Sequence, residues 1–305
     1  MRFRLSIGSD CNLRCRYCFI DKEKGEHLSQ PNARMIIEGV LALPGRRHRI
    51  DIYGGEPLAY FDRLKQVVEE IRAQSRAARK TVRCAVATNG TLLRAAHLDF
   101  FRKNEVEVCI SLEGPGQGGQ RIYADGRESR DEAWRGARLA LKKMPPSLLT
   151  GLLCVHPSQA AGMDEDFDSL VRCGFRGVNL EVILGVPWTE ARKRDFSLRF
   201  GAIARRIHAD IESGERVFLQ SVCRHFLPVP PSQGAEIYPD GKPGPVPYPF
   251  AHLPADRKVS SLEGTDVLAL RDRLSLRLAR DILRKAARNA AYSRYVRAAR
   301  KRYEG

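Results

Sequence analysis

The chain has 305 residues, 43% of them hydrophobic and 29% charged, so it can bury a substantial core as one large α/β domain with an appendage. It has no long uncharged apolar run and no signal-peptide pattern at its start, which argues against a membrane span and against secretion. Eight cysteines without a paired framework indicate a reducing compartment, and we expect a cytoplasmic protein.

The formal net charge of +16 is concentrated near the C-terminus. Residues 271–305 hold twelve Arg or Lys and three Asp or Glu, a net +9. Such a charge is compatible with nucleic acid, with an acidic peptide or with an arginine-rich solvated surface. Nucleic acid is disfavoured, because neither interleaved aromatic residues nor a recognition-helix pattern accompanies the basic residues.

The apolar pattern and the turn residues predict strands that alternate with helices through the first 212 residues. Ser29-Gln30-Pro31, for example, is typical of a helix N-cap followed by proline. The predicted strands are Phe3–Ile7, His48–Tyr53, Thr81–Ala87, Val106–Leu112, Leu148–Val155 and Gly177–Ile183. The predicted helices are Asn32–Leu43, Phe61–Ala78, Leu92–Lys103, Arg130–Lys143, Asp164–Cys173 and Glu190–Glu212.

Six strands alternating with six helices indicate parallel βαβ units whose right-handed crossovers curl into a barrel. Since there are six units and not eight, we expect an α/β fold, a partial (β/α)6 TIM-like barrel that is open on one side and spans residues 1–215. Ligands of such folds gather at the C-terminal ends of the strands.

The C-terminal part is predicted as a small Pro-rich and helical extension. Residues 228–254 hold nine of the seventeen prolines, and we expect neither helix nor inner strand there. Within them, Ala235–Tyr238 followed by Pro239-Asp240-Gly241 predicts a short strand entering a turn. A single basic helix is predicted from Thr265 to Tyr303 within residues 265–305.

This C-terminal helix has two stripes. The apolar stripe is Leu270, Leu274, Leu278, Ile282, Ala286 and Ala290. The basic stripe beside it is Arg273, Arg277, Arg280, Arg284 and Arg288. A basic stripe is usually a solvated face. The sharper alternative is a docking surface for an acidic peptide or partner.

Three cysteines, Cys11, Cys15 and Cys18, follow the first predicted strand with the spacing C-x3-C-x2-C. Thiolates this close converge easily on a soft metal centre, and iron–sulfur clusters are commonly held by such runs. A structural zinc site normally has four protein ligands, and no second C-x2-C pair exists in the chain. Zinc, or three unrelated thiols, is therefore the weaker interpretation.

With Tyr17 just before the last cysteine, the pattern resembles the radical S-adenosylmethionine (SAM) superfamily. The resemblance implies a [4Fe–4S] cluster on Cys11, Cys15 and Cys18, with the amino and carboxylate groups of SAM on the fourth iron and Tyr17 in the cofactor site. It also implies reductive cleavage of SAM to methionine and a 5′-deoxyadenosyl radical, with an external electron donor of the flavodoxin or ferredoxin type.

Gly54-Gly55-Glu56-Pro57-Leu58 closes the second predicted strand and resembles the GGE motif of the same superfamily. Taken alone, it would be an ordinary glycine-rich turn. Together with the cysteine loop, the resemblance implies that Gly54, Gly55, Glu56 and Pro57 belong to the SAM-binding site.

Two further motifs close the third and fourth predicted strands. Thr88-Asn89-Gly90-Thr91 resembles the family's T-N-G turn, which implies Thr88 and Asn89 as SAM-binding residues. Ser111-Leu112-Glu113-Gly114-Pro115 resembles its S-[IL]-D-G-P segment, which implies Ser111 and Glu113. Glu113 replaces the usual Asp, which puts that contact in doubt. The D-x2-R pair that usually follows is a poor match here, with Arg121 as a stand-in for the Arg.

The resemblance covers about residues 1–215 and is closest to the sulfatase-maturating, peptide-modifying branch. Its C-terminal SPASM extension carries auxiliary iron–sulfur clusters. Residues 216–264 resemble a degenerate form of it, with turn-like matches at 234–241 and at Leu262-Glu263-Gly264. Only Cys223 remains in this extension, so we expect no auxiliary cluster.

The remaining cysteines and histidines have weaker assignments. Cys223 is a weak catalytic candidate as a hydrogen-atom donor, although a buried small hydrophobic residue is the commoner role of a free cysteine. Three others, Cys84, Cys109 and Cys154, fall within predicted strands and are expected in the core. His156 and His225 are expected to be structural rather than metal ligands.

The resemblance implies a radical SAM enzyme that abstracts hydrogen from a side chain or α-carbon of a peptide or protein, as in peptide and natural-product maturation. Loss of auxiliary clusters leaves open a small metabolite as the substrate. A non-catalytic iron–sulfur scaffold is the alternative outside enzymology.

Overall fold

The computed structural model describes residues 1–18, 20, 22, 25–114, 119–227, 233–237, 243–244 and 264–303. The strands are β1 (Arg2–Ser6), β2 (Arg47–Tyr53), β3 (Thr81–Thr88), β4 (Val106–Leu112), β5 (Leu149–Val155), β6 (Gly177–Val182), β7 (Phe218–Leu219), β8 (Gln233–Ile237) and β9 (Pro243–Gly244). The α-helices are α1 (Gln30–Ala42), α2 (Phe61–Ala77), α3 (Ala95–Lys103), α4 (Arg130–Lys143), α5 (Met163–Cys173), α6 (Glu190–Glu212), α7 (Gln220–Cys223), α8 (Thr265–Ala286) and α9 (Ala290–Tyr303).

One sheet runs through the described part of the chain in the order β7-β6-β5-β4-β3-β2-β1-β8-β9. Neighbouring strands from β1 to β7 are parallel, β8 is parallel to β1, and β9 is antiparallel to β8. The predicted α/β fold with a partial barrel is confirmed, and the six predicted strands and six predicted helices are all present. The two-residue strand β7 was not predicted.

The two faces of the sheet differ in polarity because side chains alternate along each strand. The outer face is apolar and packs with residues of the surrounding helices, as shown by Leu5, Ile52, Val86, Ile110, Leu153 and Leu180 together with Val68, Phe101, Ala137 and Phe167. The inner face carries most of the polar residues of the strands, namely Arg49, Asp51, Arg83, Glu107, Cys109, Ser111, Thr150, Cys154, Asn179 and Glu181. The inner face is therefore the side on which polar ligands can be held.

The helices begin where capping chemistry allows. Ser29 Oγ accepts a hydrogen bond from Asn32 N–H at 3.2 Å, with Pro31 in the first turn of α1. At α6, Thr189 Oγ1 accepts from Arg192 N–H at 3.3 Å. None of the described helices combines the length and the apolar character that crossing a bilayer requires.

The prediction of one helix from Thr265 to Tyr303 is wrong, because the chain breaks between α8 and α9. Asn289 Oδ1 accepts from Ala291 N–H at 2.8 Å, and the Asn289 carbonyl accepts from Ser293 N–H at 3.0 Å. Asn289 thus caps a new helix, as its short side chain favours. Ala290, which was predicted on the apolar stripe, is exposed.

The prediction that residues 228–254 hold no inner strand is also wrong. Strand β8 lies between β1 and β9 in the sheet. The nine prolines of this segment lie outside Gln233–Ile237, so the five residues of β8 keep their backbone donors. The predicted turn Pro239-Asp240-Gly241 lies outside the described residues.

The end of α9 is bound to the amino-terminal ends of the strands, at the floor of the barrel. Arg302 donates to the carbonyls of Pro146 at 2.7 Å and Leu149 at 2.8 Å, and to Thr150 Oγ1 at 3.3 Å. Arg83 of β3 donates in return to the Arg302 carbonyl at 2.8 Å. The last helix therefore covers the floor, the end opposite to the carboxyl ends of the strands, where ligands of such folds gather.

Candidate functional site

The turn after β2 fastens one side of the cysteine loop. Gly55 N–H donates to the Gly8 carbonyl at 2.9 Å, and Glu56 N–H donates to the Asp10 carbonyl at 2.8 Å. A β-carbon on Gly55 would lie 2.0 Å from the Asp10 carbonyl oxygen, and one on Gly54 would lie 2.4 Å from that of Gly8. Only glycine lets the two backbones approach this closely. The predicted contact of both glycines with SAM stays a prediction.

The segment after β4 fastens the other side of the loop. Arg14 N–H donates to the Ile122 carbonyl at 2.6 Å, and Arg16 N–H donates to the Gln120 carbonyl at 2.8 Å. These bonds join residues more than a hundred positions apart in the sequence. The backbone that carries the three cysteines is therefore held from two directions by main-chain hydrogen bonds.

Cys11, Cys15 and Cys18 are half-buried free thiols. Leu13 N–H donates to Cys11 Sγ at 3.3 Å, and Asn89 Nδ2 lies 3.8 Å from the same sulfur. Burial raises the pKa of Cys11 to about 11, although the Leu13 N–H lowers it. Iron binding at these thiols must therefore release protons.

The donor set suits an iron–sulfur cluster. Within the described ranges, no three His, Cys, Asp or Glu side chains are grouped so that they could share a single metal ion. In a four-iron cluster each thiolate binds a different iron, so three cysteines on one loop need not surround a common point. Cys11, Cys15 and Cys18 would hold such a cluster, with N–H donors already directed at Cys11.

Glu56 ties the ends of β2 and β3 together. Its side chain is fully buried, and Oε1 accepts from Leu58 N–H at 3.0 Å and from Thr88 Oγ1–H at 2.7 Å. Oε2 accepts from Asn89 N–H at 2.7 Å. Burial raises the pKa of Glu56, while these hydrogen bonds oppose the rise. Glu56, which precedes buried Pro57, thus positions two predicted SAM-binding residues, Thr88 and Asn89.

An amide network joins the T-N-G turn to the cysteine loop. Asn89 Nδ2 donates to Asn12 Oδ1 at 2.9 Å, and Asn12 Nδ2 donates to Thr91 Oγ1 at 2.8 Å. Thr91 N–H donates in turn to Asn89 Oδ1 at 2.9 Å. Sequence reasoning missed Asn12, although its place between the first two cysteines was a usable signal.

Tyr17, Glu113 and Arg121 meet beside Cys15. Arg121 Nη1 donates to the Tyr17 hydroxyl at 2.8 Å. Glu113 is only 6% exposed, and burial raises its pKa to about 7, with Asp166 adding to the rise and Arg121 opposing it. Arg121 also lowers the pKa of Cys15, which burial otherwise raises. Arg121 was considered from sequence only as a replacement for the arginine of the D-x2-R pair. The structure shows that it belongs to this cluster.

This cluster contains buried polar atoms that fit a bound ligand. Glu113 Oε1 and Arg121 Nε are buried, and neither finds a hydrogen-bond partner in the described part of the chain. A buried carboxylate and a buried guanidinium in one cluster match a ligand that carries both an amino and a carboxylate group, as SAM does. The residues present therefore fit the cofactor that the motifs imply.

Other inward residues line the same space. Ser111 lies half-buried on the inner face of β4, and His156 stacks on Tyr17 with ring centroids 6.3 Å apart. His156 also caps the turn after β5, with Nδ1 2.8 Å from Ser158 Oγ, which agrees with a structural role. Asn179 Nδ2 donates to Glu181 Oε1 at 2.7 Å on β6. The alternation of polar residues along β6 could have identified this pair from sequence.

Of the three strand cysteines expected in the core, Cys84 and Cys154 are buried, and Cys84 packs in the main apolar cluster, whereas Cys109 is only partly buried. Cys109 lies on the inner face, 3.9 Å from Glu107 Oε1. Cys154 is also on the inner face, where burial raises its pKa to about 12 and Arg121 lowers it. Strand alternation explains the difference, because Cys109 and Cys154 have the opposite orientation from their apolar neighbours.

The structure places Cys223 away from the residues described above. It is fully buried in α7, and its Sγ lies 3.7 Å from the Tyr295 hydroxyl of α9. Burial raises its pKa to about 12. Its surroundings are those of a small buried residue, and no described contact joins it to the cysteine loop.

The sequence matches the Radical SAM superfamily over residues 5–172, more than half of the chain. The chain belongs to the radical SAM superfamily. It is accordingly an enzyme whose cofactors are a [4Fe–4S] cluster and SAM.

Among curated relatives, a serine-type anaerobic sulfatase-maturating enzyme of Klebsiella aerogenes is 29% identical over 185 residues, 58% of this chain and 45% of that enzyme. A GTP 3′,8-cyclase of Helicobacter pylori is 32% identical over 117 residues, 36% of this chain and 34% of the cyclase. The chain thus spans less than half the length of these curated relatives. The similarity to sulfatase-maturating enzymes supports the predicted peptide-modifying branch.

The structure of native anSMEcpe with bound AdoMet superposes with a TM-score of 0.69 at 19% identity, covering 81% of this chain and 74% of that one. The structure of the same protein with AdoMet and the Cp18Cys peptide gives a TM-score of 0.68 at 18% identity, and the match covers 80% of this chain and 73% of that one. At this level of identity the likeness concerns the fold.

Proposed function

We propose that this radical SAM enzyme has a single iron–sulfur cluster and modifies a peptide or protein. It would do so by removing a hydrogen atom from a side chain or an α-carbon of that substrate. The observation that carries the proposal is the 185-residue similarity to the sulfatase-maturating enzyme of Klebsiella aerogenes. The solved neighbour with a bound peptide supports it through the shared fold. The polar inner face near the carboxyl ends of the strands is a suitable place for the peptide backbone.

In this proposal Cys11, Cys15 and Cys18 hold the cluster. SAM bound there would supply the hydrogen-atom abstraction from the substrate. The site for SAM is formed by the residues that the motifs identify, namely Tyr17, Gly54, Gly55, Glu56, Pro57, Thr88, Asn89, Ser111 and Glu113, together with Arg121.

The chain's own contribution is orientation. Glu56 fixes Thr88 and Asn89, and Asn89 lies against Cys11, so hydrogen bonds link the predicted SAM-binding residues to a cluster cysteine. Glu113, with its pKa near 7, is part-protonated at neutral pH and can donate or accept a hydrogen bond at Oε1.

The wider organisation is part of the same proposal. Residues 1–215 form the catalytic barrel, 216–264 a degenerate SPASM-like extension without an auxiliary cluster, and 265–305 the basic C-terminal region. An external flavodoxin or ferredoxin would supply the electron. All eight cysteines are free thiols, which supports a cytoplasmic location.

The first test is SAM cleavage by the anaerobically reconstituted, dithionite-reduced protein. We expect 5′-deoxyadenosine from the wild type, and from Cys15→Ala neither the nucleoside nor the iron content of a full cluster. Cys173→Ser is the matched control, because it removes a half-buried cysteine from α5. This variant should still form 5′-deoxyadenosine and should keep the iron content of a full cluster. A wild type with full iron content and no nucleoside would establish the non-catalytic scaffold instead.

The second test identifies the substrate class. Peptides deuterated at the α- and β-carbons of Ser and Cys should transfer deuterium into 5′-deoxyadenosine. The similarity to a GTP 3′,8-cyclase makes a small metabolite the second candidate, and GTP is its probe. Turnover with GTP, and no deuterium transfer from any peptide, would replace the peptide substrate by the metabolite.

A further inference from the structure

Five arginines form a continuous exposed surface along α8 and the residues after it. This arginine face consists of Arg273, Arg277, Arg280, Arg284 and Arg288, all of them exposed. A groove of about 520 Å³ runs along it, lined by Arg273, Leu276, Arg277, Arg280 and Arg284. Neighbouring arginines at spacings of three or four residues lie about 5–6 Å apart on a helix.

The acidic residues of α8 are bound elsewhere and do not neutralise this face. Asp266 pairs with Lys193 of α6. Asp272 pairs with Arg271 at 2.9 Å and with Arg224 at 2.8 Å. Asp281 pairs with His208 at 3.0 Å. Within the described residues the arginine face thus has no acidic partner.

Like charges at this spacing destabilise an isolated helix, so the arrangement is costly unless an anion offsets it. The buried arginine of the same helix shows the contrast. Arg271 is 7% exposed, and its Nη1 donates to the Leu180 carbonyl at 3.0 Å and lies 3.5 Å from Glu181 Oε2. One arginine of α8 therefore anchors the helix to β6, and the exposed set faces away from that anchor.

The arginine face begins close to the carboxyl ends of the barrel strands. Gly264, the residue before α8, packs against Trp188 and against the carbonyl of Ile183, which directly follows β6. Trp188 Nε1 donates to that same carbonyl at 3.0 Å. The N-terminus of α8 thus lies at the carboxyl end of β6, and Arg273 follows about two turns later.

We infer that the arginine face is a docking surface for an acidic stretch of the peptide substrate. In the peptide, this stretch would lie next to the residue that enters the barrel to be modified. The inference rests on the proposed function and adds to it how the substrate is recruited. From Arg273 to Arg284 the helix rises about 17 Å, the length of about five residues of extended peptide. Carboxylates along such a peptide can each pair with a guanidinium.

The composition of the face favours polypeptide over nucleic acid. Proteins that bind single-stranded nucleic acid combine basic residues with aromatic side chains on which bases stack. The sequence of α8, TDVLALRDRLSLRLARDILRKA, contains no aromatic residue. Leu276 instead supplies an apolar contact in the groove, which suits the aliphatic part of a peptide side chain.

The test measures binding of a fluorescein-labelled peptide of alternating Glu and Gly to the cluster-loaded enzyme by anisotropy. The double variant R277E/R284E should bind at least about tenfold more weakly, and the wild-type affinity should fall as salt is raised from about 50 to 300 mM. R76E/R138E is the matched control, since it changes the net charge equally at two exposed arginines of α2 and α4, and it should bind within about twofold of the wild type.

Three results would overturn the inference. They are no binding of the peptide to the wild type, an equal loss in both double variants, and stronger binding of a single-stranded oligonucleotide of the same charge. R277Q/R284Q, which adds no acidic groups, repeats the comparison if the first variant fails to fold. Wild type that cleaves SAM without binding the peptide would refute only the docking surface. Peptide binding without SAM cleavage would refute only the proposed enzyme.

Discussion

Single residues determine how closely the cysteine loop approaches the end of β2. Gly54 and Gly55 were identified from sequence as motif residues, and the structure supplies a physical reason for them in the neighbouring Gly8 and Asp10 carbonyls. That reason depends on two segments more than forty residues apart, so the sequence could predict the glycines but not their contact. The same applies to the hydrogen bond from Arg121 to Tyr17, which joins residues 104 positions apart.

Gly55→Ala should destabilise the protein by more than about 2 kcal/mol, because its β-carbon would overlap backbone that cannot move without shifting the cysteine loop. Iron uptake on reconstitution should fall with it. Urea unfolding and iron analysis check both effects. Gly39→Ala is the control, since that glycine lies exposed inside α1 with nothing within 4 Å of an added β-carbon. It should stabilise the protein by about 0.5–1 kcal/mol.

At the scale of elements, periodicity and capping predicted most strands and helices to within a few residues. The misses have local causes. Strand β7 is two residues long, too short for a periodic signal. The break before α9 depends on Asn289, whose capping ability competed with a continuous apolar stripe. The sequence did not show which end of the barrel the last helix covers. The position of this helix depends on contacts of Arg302 with residues about 150 positions earlier in the chain.

Arg302→Ala should destabilise the protein by about 2–3 kcal/mol. It removes a charged donor from two carbonyls and a hydroxyl at the floor of the barrel, and the partly buried acceptors lose their partner. Lys301→Ala, at the exposed neighbouring position, should change stability by less than about 0.5 kcal/mol. Urea unfolding of both variants measures the difference, and equal losses would argue against a role for the floor contacts.

Considered as a whole, the molecule keeps charged groups in the interior of the barrel. Arg49 and Glu107 form a buried ion pair at 2.8 Å, and Glu107 also accepts from Thr150 Oγ1–H at 2.7 Å. Burial alone would raise the pKa of Glu107, but Arg49 and these hydrogen bonds outweigh it and lower the pKa to about 2. Sequence indicated polar residues within the strands but not their pairing across the sheet.

Stability should depend on Glu107 in a defined pH range. The pKa of Glu107 in the folded state lies below its ordinary value of 4.5. Its contribution to stability is therefore fully present above pH 4.5 and is lost as the pH falls towards 2. The contribution is about 3 kcal/mol. Glu107→Gln should therefore be destabilised by about that amount at pH 7.

The difference in the free energy of unfolding between wild type and Glu107→Gln should become smaller as pH falls from about 5 to 2. Urea unfolding at a series of pH values measures it. Glu69→Gln, on the exposed surface of α2, is the control and should follow the wild type throughout. A gap that stays constant with pH would contradict the ionised state of Glu107.

The fastening of the cysteine loop has a consequence for the maturation of the enzyme. The hydrogen bonds that hold the loop to the turn after β2 and to residues 120–123 are made by main-chain atoms. We therefore expect iron and sulfide to be loaded onto a chain that has already folded, unlike the metal of a zinc finger, which drives folding itself. A shortage of iron is then expected to leave a folded precursor that can still be loaded.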